Sequence, residues 1–196
     1  MFAAKMKPRW ISSEEYLAQE ETSTDRHEYL NGQIYMMAGG THNHERIVGN
    51  VFAALHQYAR RKKCTAYGSN MKILVKANGL YTYPDAMLVC GKIGFAAERK
   101  DIIINPLLIV EVLSDSTQSY DRGDKFALYR GIPIFTHYLL IHQDRPLVEY
   151  HRKTGAGWLL TEVEGKDAAL IVDPLELQLP FDELYEGVDW LPAEEE

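Results

Sequence analysis

Several things are scarce in this sequence, and each shortage closes off a class of protein. Cysteine occurs only twice in 196 residues, too sparsely for a disulfide scaffold. Neither Cys64 nor Cys90 stands in a CxxC or zinc-ligand spacing, so reduced thiols are expected. Long apolar runs are missing. PLLIVEVL and the stretch around HYLLI fall far short of the ~20 residues that cross a bilayer, and the opening MFAAKMKPRW has no signal-peptide core. A cytoplasmic protein without membrane contact is expected. Positive charge is also short: 21 Lys and Arg face 28 Asp and Glu, a formal charge of −7. That excludes a broadly cationic surface for nucleic acid or anionic lipid and leaves only local patches. There is no GxSxG elbow, no P-loop and no HExxH, and neither cysteine has an adjacent basic partner to make it a nucleophile. No small-molecule organic cofactor is expected.

What is present is an ordinary globular composition, 46% hydrophobic and 25% charged. It suits a single domain over residues 1–196, with a core at about 43–142, an N-terminal helix and hairpin at 12–38, and a C-terminal β extension with a short helix at 146–190. SSEEYLAQE carries a capping box, Ser12 with Glu15 three residues later, and opens a short helix. In HEYLNGQIYMM the Asn31-Gly32 pair predicts a hairpin with a type I′ turn. From Asn43 to about Lys63, Ile47, Val51, Leu55 and Tyr58 recur at helical spacing and give one buried stripe. That helix ends in ARRKK. Four successive cations, Arg60 to Lys63, either complement the helix dipole or form a phosphate-contacting patch.

TAYGSNMKILVKA and LYTYPDAMLVC read as two strands joined by an Asn78-Gly79 turn. The apolar strand 107–113 is followed by a Ser/Asp/Thr-rich turn, a helix from about Tyr120 to Arg130 and the strand THYLLIH. A strand–helix–strand step this short predicts a parallel crossover, so the sheet is mixed and carries packed helices. PLVEYHRKTGAGWLLTEVEG and AALIVD extend it in antiparallel fashion. A short helix near Phe181 to Tyr185 follows, and AEEE forms a frayed acidic end.

Two carboxylates sit where strands should be apolar. Glu111 interrupts LIVEVL, and Asp85 follows Pro84 in YPDAMLVC. An unpaired ionised group in such a strand costs several kcal/mol, so a cation, an ion-pair partner or a raised pKa must compensate it. Pro84 cannot donate to a ladder, which places a bulge or strand edge beside Asp85. If the two strands are neighbours, the acids converge and need a shared proton or a divalent cation. Hard oxygen donors favour Mg²⁺ or Mn²⁺. Lys125, on the first turns of the following helix, can reach the same point and stabilise charge on a phosphate. Asp121, four residues earlier, pairs with Lys125 in an ordinary helix-face spacing.

These residues resemble the Uma2 (DUF820) family within the PD-(D/E)xK nuclease superfamily. The likeness is carried by PD at 84–85, EVLS at 111–114 and the run YDRGDKFALYRGIPIFTHYLLIH, and it extends from HEYLNGQIYMMAG to LPFDELY. The resemblance implies an α/β (α+β), restriction endonuclease-like mixed β-sheet flanked by helices. It also implies a Mg²⁺- or Mn²⁺-dependent endonuclease acting on DNA. Asp85 and Glu111 match the metal-binding acids, and the carbonyl of Val112 would be a further ligand. The superfamily lysine falls two residues after the second acid, where this chain has Leu113; Lys125 takes its place on the helix. Glu28 matches an acid of the family's opening hairpin, either an accessory metal contact or an exposed hairpin residue. His44 matches a histidine of the long helix, either functional or a satisfied core residue. A homodimer is expected because a duplex has two strands. The alternative is a non-catalytic module of the same fold, serving binding or assembly.

Overall fold

A computed structural model describes residues 9–97 and 99–190. Helix α1 (Ser13–Glu20) starts at its capping box: the Glu15 amide donates to Ser12 Oγ at 3.1 Å and the Ser12 amide to the Glu15 carboxylate at 3.0 Å. Strands β1 (His27–Leu30) and β2 (Gln33–Met36) form the expected hairpin. Asn31 and Gly32 take φ of 49° and 77°, as a type I′ turn demands. The Trp10 ring fills the space a Cβ on Gly32 would need.

Helix α2 (His42–Arg61) is capped by Thr41 and buries Ile47, Val51, Leu55 and Tyr58, the stripe read from spacing. No helix among the described residues is long and apolar enough to cross a membrane.

The next stretch departs from expectation. TAYGSNMKILVKA divides into β3 (Cys64–Gly68) and β4 (Lys72–Val75), and LYTYPDAMLVC into β5 (Leu80–Thr82) and β6 (Ala86–Cys90). β4 pairs with β5 in one sheet while β3 pairs with β6 in another. The expected hairpin therefore exists, but both of its arms pass from sheet to sheet. Pro84, without an N–H for the ladder, marks the crossing on the second arm.

Two short strands that sequence pattern did not suggest follow, β7 (Phe95–Ala96) and β8 (Arg99–Ile103), and then β9 (Leu108–Leu113). The helix expected from Tyr120 spans 118–129 in three pieces: α3 (Gln118–Tyr120), a π-helical turn (Asp121–Lys125) and α4 (Phe126–Tyr129). β10 (His137–His142) returns parallel to β9, as the crossover required. β11 (Leu147–Thr154) and β12 (Gly157–Glu164) add the antiparallel extension. β13 (Ala169–Val172) and β14 (Leu177–Pro180) form a separate ribbon, and α5 (Phe181–Leu184) follows. The acidic end at 193–196 and the opening eight residues lie outside the described residues.

The result is two six-stranded sheets. One runs β12-β11-β10-β9-β6-β3 and the other β2-β1-β5-β4-β8-β7. Every residue of β9 and β10 is buried, because the first sheet is covered on both faces. Leu108, Val110 and Val112 face α2, α5 and the ribbon. Ile109 and Leu113 face the second sheet and the helical segment with Phe126 and Tyr129. By alternation Glu111 lies on this second face, sealed between layers.

The cysteines correct an expectation. Cys64 and Cys90 oppose each other in the β3–β6 ladder, with Cα atoms 3.9 Å apart, and are joined as a disulfide. Separation along the chain concealed a direct cross-strand pairing.

Candidate active site

The site forms where β6 and β9 diverge. Ala86 opposes Val110 in the last pair of their antiparallel ladder, and the residues just beyond it, Asp85 and Glu111, both line one cavity. With Pro84 ending the ladder, Asp85 supplies its own closing bond: the Val112 amide donates to Asp85 Oδ2 at 2.7 Å. Its carboxylate also meets His44 Nε2 at 3.4 Å, from the first turn of α2. Burial disfavours the His44 imidazolium, but the hydrogen bond and charge of Asp85, with Glu45 beside it, outweigh burial and raise the pKa. His44 is thus neither a plain core residue nor a free one.

Glu111 is 4% exposed. Its Oε1 accepts a hydrogen bond from the Tyr129 hydroxyl at 2.6 Å and lies 3.0 Å from Lys125 Nζ. Burial pushes its pKa up to about 8; the Lys125 charge pulls the other way without cancelling that cost, and Asp85 and Asp121 add to it.

Lys125, 5% exposed, sits amid three carboxylates. Nζ is 3.0 Å from Glu111, 3.2 Å from Glu28 and 3.3 Å from Asp121. Desolvation opposes its charge, yet Glu111 and its other anionic neighbours hold the pKa well above the usual lysine value. The Asp121–Lys125 pair read from spacing exists, but it is buried rather than displayed on a helix face. The π-turn delivers both residues inward, a distortion that recurs at functional sites. Glu28, open to either reading from sequence, is buried on β1; it accepts from the Thr82 hydroxyl and from the Tyr120 hydroxyl at 3.3 Å.

Arg122 braces the π-turn from outside the cluster. Its guanidinium grips Glu149 with Nε and Nη2 at 2.9 and 2.7 Å, meets His142 Nε2 at 3.0 Å and donates to Gln118 at 2.8 Å.

Asp85, Glu111, Val112, Lys125, Glu28, His44 and Asp121 all line one cavity of ≈1050 Å³, so every candidate read from sequence converges on it. Sequence reasoning missed Tyr129, Tyr120, Thr82 and Arg122. Tyr129 lies four residues after Lys125, a spacing that could have nominated it. The other three owe their places to long-range packing and left no local signal.

The donor set fits a hard divalent cation. Four carboxylates face one lysine and one histidine, and the buried Asp121 Oδ1 has only the shared Lys125 ammonium, at 3.3 Å, so the pocket carries surplus negative charge. Among the described residues no three His, Cys, Asp or Glu side chains stand close enough to enclose an ion unaided. Mg²⁺ is typically held by one or two carboxylates with water completing its shell.

A mixed sheet covered by helices, with these acids at the mouth of two central strands, defines a restriction endonuclease-like fold. A protein of Anabaena variabilis ATCC 29413, whose crystal structure is titled that of "a putative nuclease belonging to DUF820", shares it. The TM-score is 0.72 at 18% identity, over 89% of this chain and 97% of that one. Two proteins of Synechocystis sp. (strain ATCC 27184 / PCC 6803 / Kazusa) are each 35% identical to this chain. One, "Uncharacterized protein sll1609", aligns over 82% of this chain and 91% of its own length; the other, "Uncharacterized protein slr1290", over 91% and 93%. Residues 13–182 match the family "Uma2: Putative restriction endonuclease", and the chain belongs to that family.

Proposed function

We propose that the protein is a Mg²⁺- or Mn²⁺-dependent endodeoxyribonuclease. The observation that carries the reading is the register of β6 and β9, which brings Asp85 and Glu111 to one cavity with the Lys125 ammonium 3.0 Å from Glu111. Asp85, Glu111 and the Val112 carbonyl would hold the metal, and the bound ion supplies Lewis acidity and a water of lowered pKa.

The remaining work belongs to the chain. The Val112 amide and His44 fix the Asp85 carboxylate, and the Tyr129 hydroxyl fixes that of Glu111. Lys125, kept charged by its carboxylate neighbours, presents a positive group to a phosphoryl oxygen on which negative charge grows. Glu28 and Asp121 hold that ammonium in position. The buried walls exclude bulk water, which strengthens each of these interactions.

Cleavage of plasmid and oligonucleotide DNA with Mn²⁺ tests the reading. Asp85→Ala and Glu111→Gln should each abolish it, and undiminished activity in both would overturn the site. A homodimer, part of the same reading, is checked by sedimentation. A non-catalytic module has one observation in its favour: an ammonium already occupies the space among three of the carboxylates. Calorimetric titration separates the two. Mn²⁺ binding lost in Asp85→Ala favours the enzyme, and no binding even with DNA present favours the module.

A further inference from the structure

The four cations at the end of α2 take no part in the site just described. Arg60, Arg61, Lys62 and Lys63 are all exposed, and of these only Lys62 has an ion-pair partner among the described residues, Glu176 at 3.3 Å. Arg60 and Arg61, with Ala53, His56 and Gln57, line a groove of ≈490 Å³ on the outer face of the helix. A helix dipole explains a cation or two in the last turn. It does not explain four in succession, three of them unpaired, in a chain of formal charge −7.

The helix also connects this groove to the cavity. Its first turn supplies His44 and Glu45 to the cavity lining. From Glu45, the residues Gly49, Phe52, His56 and Arg60 follow at spacings of three and four, on one face of the helix. Glycine at 49 and alanine at 53 keep that face low, and Gly49, Ala53, His56 and Arg60 are exposed, while Phe52 is half-buried beside Gly68. Sixteen residues separate His44 from Arg60, a rise of about 24 Å at ~1.5 Å per residue. A duplex lying parallel to the helix rises ~3.4 Å per base pair along its axis, so the same span corresponds to about seven base pairs.

We infer that the outer face of α2 is a track along which the DNA duplex lies, with Arg60, Arg61 and Lys63 contacting phosphates about seven base pairs from the bond cut in the cavity. The inference rests on the nuclease reading and names where its duplex substrate lies. Charge complementarity selects the occupant: the groove is cationic and shallow, suited to a phosphate backbone rather than to an apolar partner. Because the overall charge repels DNA, a local anchor fixes which way the duplex enters.

Binding is measured by fluorescence anisotropy in the Asp85→Ala background, so that cleavage does not intervene. Adding Arg60→Glu and Arg61→Glu should weaken binding to a duplex of about 24 base pairs by at least about tenfold, and lower the salt dependence of log K by roughly 2, one step per lost phosphate contact. In cleavage by the protein with an intact site, the same pair should raise KM for the long duplex and leave kcat unchanged. Both positions are exposed, and an unchanged melting temperature confirms an intact fold. Equal affinity and equal salt slope on the long duplex would overturn the track while leaving the nuclease reading standing. Failure of the unsubstituted protein to bind or cut any duplex with Mn²⁺ present would overturn both.

Discussion

Replacing Glu111 by glutamine should make the metal-free protein more stable at pH 8 while destroying its proposed activity. Burial, the largest cause, pushes the Glu111 carboxyl in the folded protein up to about 8 from an ordinary value of 4.5. A raised acid pKa means that the folded state holds a proton the unfolded state has released, so stability falls as pH rises from about 5 to 8. At ~1.4 kcal/mol per pKa unit, that window removes at most roughly 3–4 kcal/mol. Glutamine is uncharged throughout, still accepts from Tyr129 at the carbonyl position, and leaves Lys125 paired with Glu28 and Asp121. Urea denaturation with chelator at pH 5, 6, 7 and 8 follows the difference between the two proteins. Near pH 5 they should be close, and by pH 8 the variant should lead by a few kcal/mol, or about 2–4 °C of Tm per kcal/mol for a chain of this size. Comparing variant with wild type removes other titrating groups, among them His44 with its raised pKa and His151, whose pKa burial lowers. A constant gap between the two proteins across the window, or a variant less stable at pH 8, would refute the reasoning.

Other outcomes follow from named contacts. Arg122→Ala leaves the largely buried Glu149 without its bidentate partner and should cost about 2–4 kcal/mol by denaturation, and Arg122→Lys should recover little because an ammonium cannot grip two oxygens at once. Thiol titration of the native protein should find no reactive cysteine, and Cys64→Ser with Cys90→Ser should lose about 3 kcal/mol, as expected for a crosslink closing a loop of 26 residues. Ser12→Ala removes one half of the capping box and should cost ~1 kcal/mol.

What could be read from sequence was what neighbours along the chain decide. Asn31-Gly32, the Ser12–Glu15 box and the stripe of α2 are set within a few residues, and each stands where it was expected. The buried acids were legible for a different reason. A carboxylate among Val, Ile and Leu is costly enough to demand a reason, and Asp85 and Glu111 duly meet at one cavity. The passage of 64–90 between two sheets was hidden, because Ser69-Asn70 and Pro84 break the two arms without naming the next partner, which strands far away dictate. The same distance concealed the Cys64–Cys90 bond, the second sheet with β7 and β8, and the grip of Arg122 on Glu149. Lys125 was found by spacing, but the π-turn that aims it has no compositional mark.

That turn has a consequence for how the chain tolerates change. A helix that closes one loop late carries a residue more than ordinary winding would use, and here the surplus lies between Asp121 and Lys125, with Gly123 at its centre. Deleting Gly123 would let the coil tighten to ordinary winding, and because the wide turn takes up its extra residue by under-twisting, Asp121 and Lys125 would stay on one face, three positions apart. Phe126 and Tyr129 are anchored in the apolar interior, so the change would be confined to the stretch between Asp121 and the ammonium it faces. A residue with no side chain of its own is therefore the one this segment can lose while its two halves keep their alignment.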